Sequence, residues 1–482
     1  MDHFSMLSSE IVVTIITFLP FLDAFRLCLL KKEWHHQRLW KYCGSIEMSE
    51  TFYNEALMRN IQFHASNLPY ESTSLAMPSF VNFFNRVVTQ ISSPSLSKFS
   101  FGTTYKEEYH SLIDEWIRVA ISKDVQVLDL DFLDGESSIR EHNLFQPQNT
   151  IPFLWFGVDY MIPHILSQIQ YTTPTILNDG GRSIRILSLR SCFLSGLNYN
   201  SFISLTNLTL SHIWISTAEI ASILAGCTNL ESLTLEKCYQ LMKLEIMVPC
   251  IRLRRLVVRY CEPMLIEVEM DCRTLQHFEY KGDLINFVLS NLDGLEEVVL
   301  DFRWDFRFLY RSSDVMRILN SFSRSRILTV CISAFQVFPH EYMFGELHFL
   351  HMNVEHLTTI TCMEPYEMPM LLGLLCHATR LKTLRIKISL PNLRNNIAYC
   401  QHHHRHTLPI GFWDSHGLDF PSLETVEVDG LRGQECEDNF LRFLLTNARN
   451  LQEVIIKQGE MASSSFLLNM KPASKCVKIV FR

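Results

Sequence analysis

The side chains with the greatest capacity for chemistry form a histidine-rich run, His402-His403-His404-Arg405-His406. Four imidazoles could bind a transition metal, but adjacent residues point in different directions unless the segment folds around the ion. No carboxylate or further cysteine completes the set at close spacing, although Cys400 is near. The run therefore favours a solvated loop over a metal site.

The chain contains fourteen cysteines, a second possible source of metal ligands. A zinc site needs clustered pairs such as Cys-x-x-Cys, and the sequence has none. Six cysteines instead recur at two fixed positions of a repeated unit: Cys192, Cys238 and Cys261 at one, and Cys227, Cys250 and Cys272 at the other. We interpret these cysteines as structural and expect no metal.

No catalytic constellation is evident. The chain lacks the GxxxxGK[ST], GxGxxG, HExxH and GxSxG motifs of phosphate-binding, dinucleotide, zinc and serine-hydrolase sites. Asp129 and Asp131 form a carboxylate pair, but alternation along a strand would place both on its solvent-facing side. The many Cys and His residues define no specific nucleophile and base. We therefore expect a protein that is not an enzyme and has no cofactor.

The N-terminal segment, residues 7–34, predicts short helices with an apolar surface. Ser8 or Ser9 can cap the first helix, and Glu10 suits its positive N-terminal end. Pro20 ends that helix, because a proline disfavours the helical conformation of the residue before it. One apolar stripe has helical spacing: Ile11, Ile15, Phe18 and Leu19.

A second helix follows, with Asp23 as the expected cap. Its apolar residues are Ala24, Leu27 and Leu30, and Lys31 and Lys32 follow near its C-terminal end. A segment this small and apolar cannot bury its own surface, so it needs the rest of the chain or a partner. It is either an N-terminal cap on the following domain or a docking module.

A set of residues in this segment carries a family resemblance: Leu7, Glu10, Ile11, Ile15, Phe18-Leu19-Pro20, Asp23-Ala24, Arg26, Leu30, Lys32 and Trp34. Together they resemble an F-box, the module that attaches substrate receptors to the Skp-type adaptor of cullin ubiquitin ligases. The resemblance implies nine adaptor-binding residues: Leu7, Ile11, Phe18, Leu19, Pro20, Ala24, Leu27, Leu30 and Trp34. Some residues, such as Ile15 and Trp34, could instead hold the helices together.

A Leu-x-x-Leu-x-Leu unit recurs from Val125 onward. Its clearest copy, Ile184-x-x-Leu187-x-Leu189-x-x-Cys192-x-Leu194, matches the leucine-rich-repeat template. Further copies begin at intervals of 20 to 25 residues, at Leu205, Leu230, Leu253, Leu275 and Leu295. Less regular copies begin at Ser325, Leu347, Leu381, Leu423 and Leu451.

The repeat predicts the fold class, an α/β solenoid. The last two apolar positions of each unit alternate along a strand and face a shared core. One unit cannot bury this face alone, so units stack into a parallel-sheet horseshoe with a helical or irregular convex side. The concave face is the expected binding surface. Residues between the core positions should lie on it, for example Thr234, Val257, Glu279 and Val299.

Two further stretches carry a resemblance to plant proteins. Residues 80–101 and 114–132 resemble the linker and first repeat of plant F-box/leucine-rich-repeat proteins. Residues 420–457 resemble their C-terminal FBD-like region, and their pattern predicts strand, turn, helix and strand at the solenoid's end. The expected organisation is F-box 1–45, linker or helical cap 46–122, repeats 123–390 with an irregular insertion at 135–182, polar His-rich loop 391–419, and C-terminal repeats with an FBD-like cap 420–482.

Composition bounds the remaining possibilities. With 482 residues, 47% of them hydrophobic and 20% charged, the chain is globular and too long for one simple core without repeats. A net charge of −8 argues against nucleic-acid binding. The apolar run 11–22 is too short to span a membrane, and the residues before it lack the basic n-region expected of a signal peptide. Many cysteines without a secretory signal suggest reduced thiols in the cytoplasm or nucleus.

The resemblances imply a substrate-recognition subunit of a cullin ubiquitin ligase. The F-box would bind the Skp-type adaptor and through it a cullin, while the repeats bind an unknown target protein. Two alternatives stay open. The chain could be a repeat scaffold that binds proteins without a ligase, or a receptor of the same architecture that needs a small ligand.

Overall fold

A computed structural model describes residues 7–55, 80–133, 170–247, 252–261, 264–302, 312–331, 352–388, 408, 412–413, 419–457, 472–474 and 476–481. The chain divides into two compact units. The first comprises Met1–Met242 and Pro249–Leu253, and the second comprises Lys243–Val248 and Arg254–Arg482. The predicted insertion at 135–182 lies mostly outside the described residues, and the histidine run lies wholly outside them.

The first unit opens with short helices: α1 (Ser9–Ile16), α2 (Phe21–Cys28), α3 (Lys32–His36) and a 3-10 turn (Leu39–Tyr42). Ser8 caps α1 by accepting a hydrogen bond from the Ile11 backbone N–H, as predicted. The prediction that Asp23 caps α2 is wrong, because this helix already begins at Phe21 after Pro20. Asp23 lies in the first turn and pairs with Arg26 at 3.0 Å.

The core of the first unit is a parallel sheet. Six of its described strands lie side by side, β1 (Ser45–Ser49), β2 (Lys98–Gly102), β3 (Val127–Asp131), β5 (Ile186–Arg190), β7 (Asn207–Ser211) and β8 (Ser232–Glu236). A separate pair joins β4 (Tyr171–Thr172) to β6 (Cys192–Phe193). The connecting helices are α4 (Phe80–Gln90), α5 (His110–Ser122), α6 (Leu177–Gly180) and α7 (Thr217–Gly226).

This sheet begins well before residue 123, the expected start of the repeats. The stretch 46–122, expected as linker or helical cap, contributes most of β1, all of β2 and two helices. Phe99 and Phe101 of β2 are buried at positions where the template has leucines. Ile46 and Met48 of β1 are buried at the equivalent positions. The sequence pattern missed these copies because phenylalanine, isoleucine and methionine replace leucine.

The second unit is built from two parallel sheets. Nine described strands form the larger one, β10 (Arg255–Arg259), β12 (His277–Gly282), β14 (Glu297–Phe302), β15 (Ile327–Cys331), β16 (His356–Thr361), β17 (Thr383–Ile388), β18 (Thr425–Asp429), β19 (Glu453–Lys457) and β20 (Lys478–Phe481). The smaller sheet contains β9 (Lys243–Ile246), β11 (Glu267–Asp271) and β13 (Asn286–Ser290). Its helices are α8 (Ser312–Ser321), α9 (Met368–His377) and α10 (Glu435–Asn447). None of the helices described in either unit is long and apolar enough to cross a membrane.

Burial follows the repeat pattern, which confirms the predicted solenoid. Leu187 and Leu189 of β5 are buried, and the equivalent pairs of the other copies face the same side of their sheets. The predicted copy start at Leu347 lies outside the described residues. Strand β16, which follows Val354, belongs to a copy that the sequence pattern missed, because Thr359 occupies its second core position.

The chain leaves several strands through the same strained turn. The residues directly after β5, β7, β8 and β10 have φ between 48° and 56°, a left-handed conformation that is costly for residues other than glycine: Ser191, His212, Lys237 and Tyr260. In three of these copies a buried cysteine follows, and the thiol of Cys238 donates to the Leu210 carbonyl at 3.5 Å. Burial raises the pKa of the Cys227 thiol to about 12. These contacts support a structural role for the cysteines.

The C-terminal stretch has the predicted order of strand, turn, helix and strand, namely β18, α10 and β19. Gly430 and Gly433 occupy the turn with positive φ, where a side chain would be strained. The structure adds β20, which pairs with β19 and extends the sheet beyond the FBD-like residues.

A buried carboxylate organises that turn. Glu437 is fully buried and accepts hydrogen bonds from the backbone N–H groups of Arg432 (2.9 Å), Gly433 (2.8 Å) and Gln434 (3.2 Å). Its other oxygen accepts from the Arg432 side chain at 3.0 Å. One side chain therefore satisfies three backbone donors that precede α10.

Replacing Glu437 by alanine should lower the free energy of unfolding by about 3 kcal/mol, because buried N–H groups lose their acceptor. Urea unfolding followed by circular dichroism measures the loss. Glu435→Ala, at an exposed position of the same helix, is the control and should change stability by less than about 0.5 kcal/mol. Equal unfolding midpoints for the two variants would contradict the role assigned to Glu437.

Candidate partner-binding surfaces

The N-terminal helices have one buried and one exposed side. The buried side comprises Val12 and Ile16 of α1 and Phe21, Ala24 and Cys28 of α2. The aromatic ring of Phe21 packs edge-on against Trp40 with 5.4 Å between ring centroids. Thus the helices possess a core within this chain, and their remaining apolar residues are available to a partner.

The nine predicted adaptor-binding residues fall into three groups. Ala24 and Trp34 are 0% and 1% exposed, so in this chain they hold the helices together. Four are half-buried, Leu7, Leu19, Pro20 and Leu27. Three are open to solvent: Ile11 at 50%, Phe18 at 83% and Leu30 at 69% exposure.

Leu29 is a further candidate that the sequence prediction missed. It is 57% exposed, and it lies next to Leu30 just beyond the end of α2 at Cys28. The sequence analysis predicted Leu30 and not Leu29, because it expected α2 to extend through Leu30 with only that residue on the apolar side. The end of the helix leaves both leucines exposed. Ile11 in α1, and Phe18, Leu29 and Leu30 just after the ends of α1 and α2, are called the helical apolar residues below.

The helices are joined directly to the sheet of the first unit. Pro20 forms a parallel bridge with Ser45, and the Gly44 N–H donates to the Leu19 carbonyl at 3.3 Å. A side chain at Gly44 would come within 1.9 Å of the Thr17 carbonyl oxygen, so the backbones approach closely only because this residue is glycine. The helical segment is therefore fixed to the first strand.

The sheet face opposite the core, here called the inner face, is polar in the first unit. At the middle of successive strands it presents Ser100, Asp129, Ser188, Thr209 and Thr234, aligned in register. The Ser100 hydroxyl donates to Asp129 at 3.1 Å. Asp131, the second aspartate of the pair noted in the sequence, pairs with Arg190 of β5 at 3.2 Å. Both aspartates thus bind neighbouring strands.

The inner face of the second unit contains a buried glutamate, Glu279. The side chain of Arg259 lies 2.8 Å from it, that of Lys281 3.5 Å and that of Arg255 3.9 Å. Burial by itself raises the pKa of Glu279, but the hydrogen bond and charge of Arg259 and the charge of Lys281 outweigh it and lower the pKa below its usual value. Val257, its neighbour in register, is also buried, so these two predicted surface positions are covered.

A second buried glutamate repeats this arrangement on β18. Glu427 lies 3.1 Å from Arg385 of β17 and 2.5 Å from Lys457 of β19. Burial by itself raises the pKa of Glu427, but the hydrogen bonds and charges of Lys457 and Arg385 outweigh it. The pKa of Glu427 therefore lies below its usual value. Both glutamates therefore act as cross-strand ties whose charges are already neutralised.

No group of three His, Cys, Asp or Glu side chains among the described residues is placed to hold a metal ion. One cavity of about 170 Å³ lies between Leu375, Cys376 and Phe420. Pockets for small organic ligands usually measure about 300–1,000 Å³. This cavity is smaller, and it carries no assignment.

The stacked parallel strands, with leucine-type residues at two buried positions in each, define a leucine-rich-repeat protein. The family model described as "At1g61320/AtMIF1, LRR domain" matches residues 158–410, which is more than half of the chain. The chain belongs to this family. A second family model, FBD, matches residues 421–456, where β18, α10 and β19 lie.

Several curated proteins of Arabidopsis thaliana are similar over most of the chain. The FBD-associated F-box protein At5g56370 is 22% identical and covers 94% of this chain and 89% of its own. The F-box protein At3g62230 is 23% identical, with 95% and 91% covered. The F-box protein At5g03100 is 24% identical over 62% of this chain and 79% of its own. None of these three names denotes an enzymatic activity.

Among solved structures, the crystal structure of a TLR13–ssRNA13 complex matches 82% of this chain at 12% identity with a TM-score of 0.34. The match covers 59% of that chain. A score this low supports no argument about the protein.

Glu279→Gln should lower the free energy of unfolding by about 2 kcal/mol at pH 7, because a charged hydrogen-bond acceptor is lost beside Arg259 and Lys281. The pKa of Glu279 is depressed in the folded protein, so its contribution is present above the unfolded pKa of about 4.3 and is lost as pH falls through the folded pKa. The difference between the proteins should shrink below pH 4.

Urea midpoints at pH 7 and pH 3.5 measure this difference. Glu296→Gln, at an exposed position next to β14, is the control and should have little effect at either pH. A loss for Glu279→Gln that is the same at both pH values would exclude the ion pairs as its cause.

Proposed function

We propose that this chain is the substrate-recognition subunit of a cullin ubiquitin ligase. Its N-terminal helices bind a Skp-type adaptor, and its repeats bind a target protein. The observation that carries the proposal is the exposure of Phe18 and Leu30 just after the ends of helices whose own core, including Ala24 and Trp34, is complete. Exposed apolar side chains indicate an interaction site when they are grouped, and both of these lie in the segment that resembles an F-box.

The names of the relatives support the proposal, because F-box proteins as a class attach to such adaptors. The F-box resemblance of residues 7–34 coincides with the segment that contains the helical apolar residues. Phe18 and Leu30 are the side chains best placed for the centre of the contact, since large apolar residues dominate most protein interfaces. Leu19, Pro20 and Leu27 would contribute at its margin.

The chain would act by proximity. Binding adaptor and target at once raises the effective concentration of the target's lysines near the ubiquitin-conjugating enzyme. Attachment of the helices to β1 through Pro20 and Gly44 favours this role, because it fixes the direction of the first strand relative to the adaptor. The bond-forming chemistry would be supplied by the partner enzyme, in the cytoplasm or nucleus.

A repeat scaffold without a ligase is the competing function. It predicts that the same helices contact some other protein or none. Co-purification of a cullin with the intact chain separates the two. A receptor that requires a small ligand predicts a ligand-dependent rise in melting temperature.

A Phe18→Ala, Leu30→Ala double variant should bind a Skp-type adaptor at least tenfold more weakly, because two exposed apolar anchors are removed. These positions are preferable to Leu19 and Pro20, whose backbones are tied to β1. Titration calorimetry with purified adaptor gives the dissociation constants.

The matched control is Phe52→Ala, a phenylalanine 44% exposed outside the three helices. It should bind as the unaltered chain does. Both proteins should keep their melting temperature. Unchanged adaptor affinity in the double variant would reject the proposed function.

A further inference from the structure

The inner face of the second unit has an uncharged strip on two adjacent strands. Ile327 pairs in register with His356, and the rest of β15 and β16 continues that alignment. All six inner-face residues of the strip are half-buried, and none is Asp, Glu, Lys or Arg: Ile327, Thr329, Cys331, His356, Thr358 and Ile360. The strip combines two isoleucines with small hydroxyl and thiol groups.

Charged residues dominate the inner face on both sides of this strip. Glu279 on one side and Glu427 on the other are held by cross-strand cations. Covering such groups with a partner would cost desolvation energy, whereas covering isoleucine and threonine costs little. Protein interfaces show the same division, with few charges at their centre and polar residues at the rim. The strip is therefore the part of this face that a partner covers most easily.

The two strands beside the strip have opposite charge. Glu297 and Asp301 lie on β14, and Arg385 and Lys387 lie on β17. Lys387 is exposed. Arg385 and Glu297 are 44% and 43% exposed, and each already has a partner, Glu427 at 3.1 Å from Arg385 and His277 at 2.8 Å from Glu297. An anionic rim thus faces a cationic rim across the two uncharged strands. Charges at the rim of an interface chiefly determine orientation and partner choice.

The first unit has a polar strip that differs in composition. Strand β7 presents Asn207, Thr209 and Ser211 on its inner face, and β8 continues with Ser232, Thr234 and Glu236. None of these side chains is aliphatic, so this area is better hydrated. It provides a comparison within the same protein.

We propose that the strip on β15 and β16, with its two rims, binds an extended segment of a partner protein. The segment has an uncharged aliphatic centre, basic residues toward β14 and acidic residues toward β17. Four strands at about 4.8 Å spacing span about 14 Å, which an extended chain crosses in four or five residues at about 3.3 Å each. The inference rests on the proposed function insofar as the segment belongs to a ubiquitylation target.

The probes are synthetic fluorescein-labelled peptides with four central residues, Leu-Val-Thr-Leu. Two mixed peptides have two lysines at one end and two glutamates at the other. One of them has its lysines at the N-terminus, and the other has them at the C-terminus. Two comparison peptides have lysines at both ends or glutamates at both ends. Fluorescence anisotropy with the full chain should give at least tenfold tighter binding for one of the mixed peptides than for either comparison peptide.

Thr358→Glu places a charge in the strip and should weaken binding of the preferred mixed peptide at least tenfold. Thr209→Glu is the matched control, because this threonine is half-buried at the middle of β7 in the other unit. It should change the dissociation constant less than twofold. Lys387→Glu, at an exposed position, should abolish the preference of the chain for the mixed peptide over the lysine-ended one.

Equal binding of all peptides, binding of none, or an equal loss for Thr358→Glu and Thr209→Glu would each overturn the inference. Lys387→Glu keeps the test valid if Thr358→Glu lowers the melting temperature. Adaptor titration on the same proteins separates the two proposals. Thr358→Glu should retain adaptor binding, whereas the Phe18→Ala, Leu30→Ala double variant should retain peptide binding.

Discussion

The rest of the structure depends on burial of two apolar side chains per strand against the neighbouring repeats. Leu187 and Leu189 show the arrangement, and no strand can achieve it alone. Because side chains alternate along a strand, fixing these residues inward fixes the intervening ones outward on the inner face. The residue after the strand must then turn sharply, and Ser191 and His212 adopt left-handed backbone to do so. The core, the inner face and the turn are consequences of one register.

The sequence predicted the fold wherever leucine occupied the buried positions. The prediction failed for β1 and β2, where other apolar residues, such as Phe99 and Phe101 of β2, occupy the buried positions. It also failed for β16, where Thr359 is buried in the core. A pattern of residue types cannot recognise these copies, because what defines a repeat is burial and not leucine. The cap of α2 was misplaced for a related reason. Its start depends on Pro20 and the adjoining strand, which local propensity ignores.

The candidate surfaces were predicted less completely, because exposure depends on contacts distant in sequence. Ala24 and Trp34 match the F-box pattern as well as Phe18 does, yet only Phe18 of the three is exposed. On the inner face, Glu279 meets Arg259 one repeat earlier, and Glu427 meets Lys457 one repeat later. These pairs follow from strand register, which aligns residues about one repeat apart. A single sequence gives the period but not which charges it brings together.

Gly44 has a consequence for how this protein could be divided. Backbone hydrogen bonding links the last turn before α2 to the first strand, so no hinge separates the helices from the sheet. A fragment that starts after residue 44 would leave one edge of β1 without its bridge to Pro20. Such a fragment would aggregate through its open edge. The helices thus cover this edge of the sheet, and any exchange of the segment between proteins would have to preserve that contact.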